Sequence, residues 1–289
     1  MTIRPAAALR TAFSTCLILA AYPQVSAAQA GASGPLQHAA ASLSYADAAE
    51  LADASTIVAV ARIRNIIKIP MRDRANAPQG RQRLYLEADV SRLIRGDSGI
   101  SPRVRYLYDA PLDARGKPPK LKKTEVILFA RAGVRPGEIQ LVAPDAQIPA
   151  SPELTDQITR ILAELAASGA PPRIVGLGEA FHVAGTVAGE SETQIFLRTE
   201  NGEPVSLSIV RRPGQQPRWA VALGEIVDEA AQPPARGSLL WYRLACGLPA
   251  ALSDQSVRSL PLQDAEAARA DYAIVVQALG ACGRARSGA

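Results

Sequence analysis

Histidine is nearly absent from this chain of 289 residues, in which only His38 and His182 occur. Cysteine is scarce too, with Cys16, Cys246 and Cys282 as the full set, and aromatic residues make up only 4% of the sequence. Each shortage removes a class of function. One histidine outside the N-terminal region and so few thiols leave too few soft ligands for the usual zinc sets, and no calcium-loop spacing occurs. There is no GxGxxG and no P-loop, and Gly176, Leu177 and Gly178 are too short a match to signal a nucleotide. The sequence therefore implies no cofactor and no metal. Nucleic acid is the least favoured polyanion, because single-strand binding interleaves aromatic rings with the basic groups. After the N-terminal segment, no apolar run reaches the about eighteen residues of a membrane helix, so the mature chain is expected to have no transmembrane segment.

The N-terminus has the grammar of export. Arg4 and Arg10 precede a short apolar run over 11–22, and small residues follow at Val25, Ser26, Ala27 and Ala30. Residues 1–30 are read as a signal peptide, too short to span a bilayer, with cleavage after Ala27 or Ala30. The residues before Cys16 do not form a lipobox, so lipidation is not expected. Residues 31–43, small and polar, are read as a flexible tail containing His38. The mature chain then keeps two cysteines in an oxidising compartment, which makes Cys246 and Cys282 a disulfide candidate. Spacing supports this. Ala268, Tyr272, Val275, Leu279 and Cys282 make one apolar stripe on a helix expected over 262–282, while Leu239, Tyr242 and Cys246 share a face of another over 238–248.

Between these ends the chain divides by composition. A helix is expected over 44–54 with Ser44 as N-cap, followed by strands over 56–69, 84–94, 104–108, 125–130 and 138–142. A helix over 151–167 has Ser151 to cap it, Pro152 in its first turn and Glu153 at its positive end. Gly169, Pro171 and Pro172 end it and mark a boundary. A β-meander is expected over 176–228. Val205, Leu207 and Ile209 alternate with Ser206 and Ser208, 193–199 is the partner strand, and Asn201-Gly202 predicts a tight type I′ hairpin.

The segments ADASTIVAVARI, ADVSRLIRG, VILFA and IQLVA, within 51–148, resemble the strand order of netrin-module or tissue-inhibitor-like OB barrels. The resemblance implies a barrel topology for this portion. The family's amino-terminal cysteines and disulfide framework are absent, so no functional residue is carried over. The chain as a whole resembles exported bacterial proteins of unknown function.

The expected fold class is α+β: a small OB-like or sandwich β module, then an antiparallel β-meander closed by a disulfide-linked helical hairpin. Its parts are a basic β module over 44–150, a connecting helix over 151–170, and the meander with a C-terminal helix pair over 171–289. Charge separates them. Residues 51–149 carry 18 basic against 10 acidic side chains, and residues 150–289 carry 12 against 15. Every lysine lies in the first half, and Arg115, Lys117, Lys120, Lys122 and Lys123 crowd one loop, a polyanion-binding candidate. Two blander explanations compete with it: a solvated loop, or a basic half docked on the acidic half.

Catalytic candidates are few. His182 alternates with Phe181 and Val183 and is expected on the opposite face, as an exposed or hydrogen-bonded strand histidine. Ser191, with His182 and Glu190, is the best hydrolase trio on offer, although Gly189-Glu190-Ser191 lacks the second glycine of a nucleophile elbow. Glu190 and Glu192 are an acidic pair or, more simply, solvated turn charges. The function expected is a non-catalytic binding or interaction protein of the cell envelope, periplasmic or secreted, with an envelope protein, a glycan or a lipid headgroup as candidate partners. The alternatives are a serine-type hydrolase and a protease-inhibitor-like module presenting the loop at 71–80.

Overall fold

The Ser44 hydroxyl accepts the Asp47 backbone N–H at 3.1 Å and opens helix α1 (Tyr45–Ala54), as its short polar side chain predicts. The computed structural model describes residues 43–70, 79–97, 99–224 and 232–286. The signal peptide, the tail and most of the loop at 71–80 lie outside the described residues. After α1 come β1 (Ile57–Lys68), β2 (Arg81–Arg95), β3 (Arg103–Pro111), β4 (Glu125–Ala132), β5 (Ile139–Leu141) and β6 (Gln147–Pro149). They pair antiparallel in the order β3-β2-β1-β4-β5, with β6 also on β4.

Central strands β1 and β4 are buried on both faces, which is why they read as nearly unbroken apolar runs. Ile57, Ala61 and Ile63 of β1 join Leu84, Leu86, Val104, Tyr106, Val126 and Leu128 on one side of the sheet. Val58, Val60, Ile127 and Phe129 face the other side, against the helices. Register shifts along the β1–β2 ladder are bulges, which bend a sheet and raise its twist. The sheet nevertheless does not close into a barrel. Its end strands are joined only by an isolated parallel bridge, Arg105 to Glu138, where the Arg105 N–H donates to the Gly137 carbonyl at 2.9 Å.

Helix α2 (Pro152–Ala166) is capped by the Ser151 hydroxyl and presents Ile158, Ile161 and Leu162 to the core. The second sheet follows, made of β7 (Ile174–Ala184), β8 (Ser191–Thr199), β9 (Val205–Arg211) and β10 (Arg218–Leu223) in antiparallel order β10-β9-β8-β7. Its inner face carries Ile195, Leu197, Val205, Leu207, Ile209, Trp219 and Val221. The fold is thus α+β with two antiparallel sheets. One apolar cluster takes residues from both sheets and from the helices α3 (Leu239–Gly247) and α5 (Leu262–Leu279), with the short α4 (Asp254–Val257) between them. Residues Ser42–Ala289 form one compact unit.

Two local expectations need correction. The β8–β9 connection is not a two-residue type I′ hairpin: the ladder stops at Leu197 opposite Val205, and only Gly202, at φ +77°, has a positive φ there. The cause is local polar chemistry. Asn201 Oδ1 accepts the Glu203 N–H at 3.2 Å and Thr199 donates its hydroxyl to the Glu203 carbonyl at 2.7 Å, which stabilises a wider turn. Helix α5 also ends before Cys282, because Gly280 takes φ +69° and turns the chain out of the helix. Cys282 still reaches Cys246, with a Cα separation of 4.9 Å, so the disulfide joins α3 to the segment that follows α5.

The bond closes a loop of 36 residues. In the chain-entropy model such a closure stabilises by about 4 kcal/mol. Cys282→Ser is therefore expected to lower the free energy of unfolding by that amount and the denaturant midpoint with it. An unchanged midpoint would remove the disulfide from the account of stability.

Candidate functional site

The strand pattern of β7 puts apolar side chains outward and a polar one inward. Phe181 and Val183 are 47% and 67% exposed, whereas the His182 side chain is 7% exposed and lies beneath α5. There it meets a buried polar chain. Thr193, directly opposite in the β7–β8 ladder, donates its hydroxyl to Asp271 Oδ2 of α5. A hydroxyl has one hydrogen, so Thr193 Oγ1 must accept from His182 Nδ1, which lies 2.8 Å away and therefore carries a proton. Arg211 Nε donates to Asp271 Oδ1 at 2.6 Å. Asp271 is completely buried, so Arg211 balances its charge while Thr193 fills its second oxygen.

This arrangement does not resemble the trio read from the sequence. Ser191 sits opposite Ala184, one inward position before Thr193 at the start of β8, and forms no hydrogen bond to His182 among the described residues. Glu190 belongs to the β7–β8 turn, where its carbonyl accepts the Gly185 N–H at 2.7 Å. Glu192 points outward on the face opposite Thr193 and is exposed. What the sequence reading missed were Thr193, Arg211 and Asp271. A signal for Asp271 existed: it lies three residues after Ala268 and four before Val275, inside the apolar stripe of α5. A carboxylate at such a position needs a buried partner.

The basic loop is a built structure between β3 and β4. Asp113 Oδ1 accepts the N–H groups of Arg115 at 2.9 Å and Lys117 at 2.8 Å, and the Asp113 N–H donates to the Lys117 carbonyl. Leu121 packs against the interior of the first sheet, and the Lys123 N–H donates to Ile63 at 2.8 Å. Lys123 is the one non-glycine with a positive φ among the described residues, at +69°. Arg115, Lys117, Lys120, Lys122 and Lys123 are all exposed, as is Lys68 at the end of β1. No carboxylate pairs with any of these six among the described residues.

Docking of a basic half onto an acidic half is not how the charges are used. Among the described residues, the ion pairs that cross between the halves run the other way, from arginines of the acidic half to carboxylates of the basic half. Arg173 and Arg243 bind Asp53 at 2.7 and 2.6 Å, Arg284 binds Glu50 at 2.6 Å, and Arg286 grips Asp145 through two nitrogens at 2.6 and 2.8 Å. Net charge is a sum over the surface, whereas pairing is decided by which side chains meet. Burial pushes the Asp53 carboxyl up, but hydrogen bonds from Arg243 and Arg173 outweigh it and hold it below the usual range. The Arg286 hydrogen bonds likewise hold Asp145 down, against its partial burial. No group of three or more His, Cys, Asp or Glu side chains comes together as a metal site among the described residues. No protein-family model matches the chain, and no curated protein matches it.

Two measurements follow from these contacts. Asp271→Ala strands Thr193 and Arg211 and is expected to destabilise by about 2–3 kcal/mol, whereas Ser191→Ala should stay within about 0.5 kcal/mol of the parent. Equal effects would contradict the network. A carboxyl held below its unfolded pKa stabilises at neutral pH and loses that contribution as pH falls through its folded value. Asp53→Asn and Asp145→Asn should therefore each flatten the fall of melting temperature below about pH 4, and unchanged acid profiles would deny both pairs a role.

Proposed function

We propose that this protein is a non-catalytic binding protein of the cell envelope, periplasmic or secreted, that engages a polyanionic glycan or lipid headgroup through the basic loop between β3 and β4. The observation that carries the reading is the loop's construction. Five exposed cations project from a segment held by Asp113, Leu121 and the Lys123–Ile63 hydrogen bond, and a preorganised surface loses less freedom on binding than a mobile one. Lys123 adds a second hint. A left-handed conformation disfavours a non-glycine residue by about 1–2 kcal/mol, and such outliers concentrate at functional positions.

The same reading treats the first sheet as OB-like. A five-stranded, partly open barrel of that type is compatible with the order β3-β2-β1-β4-β5 and the single parallel bridge from Arg105 to Glu138. In this view Leu121 stoppers one end of the curved sheet, and the lysines around it form a rim. The N-terminal sequence supports export, since Arg4, Arg10 and the apolar run at 11–22 have signal-peptide order. A serine-type hydrolase built on Ser191, His182 and Glu190 has less to support it, because among the described residues the His182 ring hydrogen-bonds Thr193 and not Ser191.

The test is retention on heparin and co-sedimentation with phosphatidylglycerol vesicles at graded salt. The triple variant Lys117→Ala, Lys120→Ala and Lys122→Ala is expected to bind vesicles roughly a hundredfold more weakly, at about 1 kcal/mol per lysine. Lys123→Gly should weaken binding while leaving stability equal or higher, because glycine accepts the positive φ. Binding that survives both changes would overturn the loop as the contact surface.

A further inference from the structure

A pocket of about 300 Å³ lies far along the chain from the basic loop's residues, where α1, α3, the start of β7 and the segment after α5 meet. Arg173, Arg243 and Arg284 converge on it with Glu50 and Asp53, while Ile174 and Cys246 give it apolar wall. Arg243 is the most deeply placed. Only 8% of its side chain is exposed, its Nε donates to the Pro171 carbonyl at 3.2 Å, and its guanidinium lies 5.6 Å from the Tyr242 ring centre.

Counting donors shows what is unspent. Both arginine contacts to Asp53 end on the same oxygen, Oδ2, with Arg173 Nε at 2.7 Å and Arg243 Nη1 at 2.6 Å. Arg284 gives its Nε to Glu50 at 2.6 Å and also hydrogen-bonds Tyr242, while Arg173 Nε lies 3.7 Å from Glu200. Each guanidinium has five N–H donors, so among the described residues these contacts leave N–H groups over on all three. Asp53 and Glu50 each already accept from arginine through one oxygen. With Glu200 beside Arg173, the three arginines are matched by three carboxylates, and a volume of 300 Å³ has room for about ten waters, more than a bare ion requires.

The site also has a fastening. Cys282 is bonded to Cys246, and from there the chain turns so that Arg284 reaches Glu50, the Ala285 N–H donates to Asp47 at 3.1 Å, and Arg286 grips Asp145. The disulfide therefore holds one of the three arginines in place.

We propose that this pocket binds a small organic carboxylate. Its oxygens accept from the guanidinium N–H groups left over, and its carbon body lies against Ile174 and the Cys246 wall. Planar carboxylates match the arginine fork in a bidentate way, which favours this ligand class over a hydrated point charge. The site is independent of the basic loop and stands or falls separately from it.

The experiment follows the arginine Nε–H resonances of the full chain during titration with benzoate and, separately, with inorganic phosphate. Benzoate is expected to shift Arg173, Arg243 and Arg284 saturably at millimolar concentration, with phosphate shifting them less. Arg284→Gln, at a half-exposed position, should weaken benzoate about tenfold, and the Cys282→Ser variant should weaken it similarly by releasing the segment that carries Arg284. Arg218→Gln, exposed at the start of β10, is the control and should leave the titration unchanged. The proposal is overturned if benzoate shifts none of the three, if Arg284→Gln binds as the parent does, or if phosphate binds as tightly as benzoate.

Discussion

The structure depends on one apolar core that neither sheet could form alone. Val58, Val60, Ile127 and Phe129 from the first sheet and Ile195, Leu197, Leu207 and Ile209 from the second are buried in the same cluster as Leu51, Ile158, Ile161, Tyr272 and Val275 of the helices. A sheet with one apolar face needs something to cover it, and here helices supply the cover. Placing helices against both β1 and β4 leaves those strands with two buried faces. The basic loop lies at the first sheet's interior side, and the arginine pocket lies where helices and chain ends meet.

Polar groups that enter this core are fully partnered or nearly so. Asp271 is balanced by Arg211 and by Thr193, which in turn fixes the proton of His182 on Nδ1. Tyr106, inside the first sheet, donates to Gln147 at 2.7 Å. Tyr45 is the exception, a buried hydroxyl without a partner among the described residues. Burial raises its pKa strongly, and the nearby Glu164 adds to the effect. The chain therefore spends its ionisable interior groups on joining elements: Asp271 ties α5 to the meander, and Asp53 ties α1 to β7 and α3.

Local grammar made much of this legible. Ser44, Ser151 and Ser238 each cap the helix that follows, and the alternation of Val205, Leu207 and Ile209 marks the inner face of β9. The pairing of Cys246 with Cys282 was expected from their even number, although Cys282 lies beyond the end of α5 and not on its stripe. Three things were not legible, each for a physical reason. The width of the β8–β9 turn depends on side-chain hydrogen bonds from Thr199 and Asn201 that compete with a tight hairpin. The partners of Asp271, a carboxylate visible in the stripe of α5, were hidden because they are 60 and 78 residues away in sequence. The arginine pocket was hidden by averaging, since a net-acidic half contributes every one of its guanidinium groups.

The central claim is that the loop between β3 and β4 is the surface that meets a polyanion. Amide hydrogen exchange of the intact chain, with and without phosphatidylglycerol vesicles, tests it most directly. The account predicts added protection concentrated over residues 112–124 and the neighbouring end of β1, diminishing as salt is raised. Protection centred instead on the outer face of β7 and β8, where Phe181 and Phe196 are exposed, would contradict it.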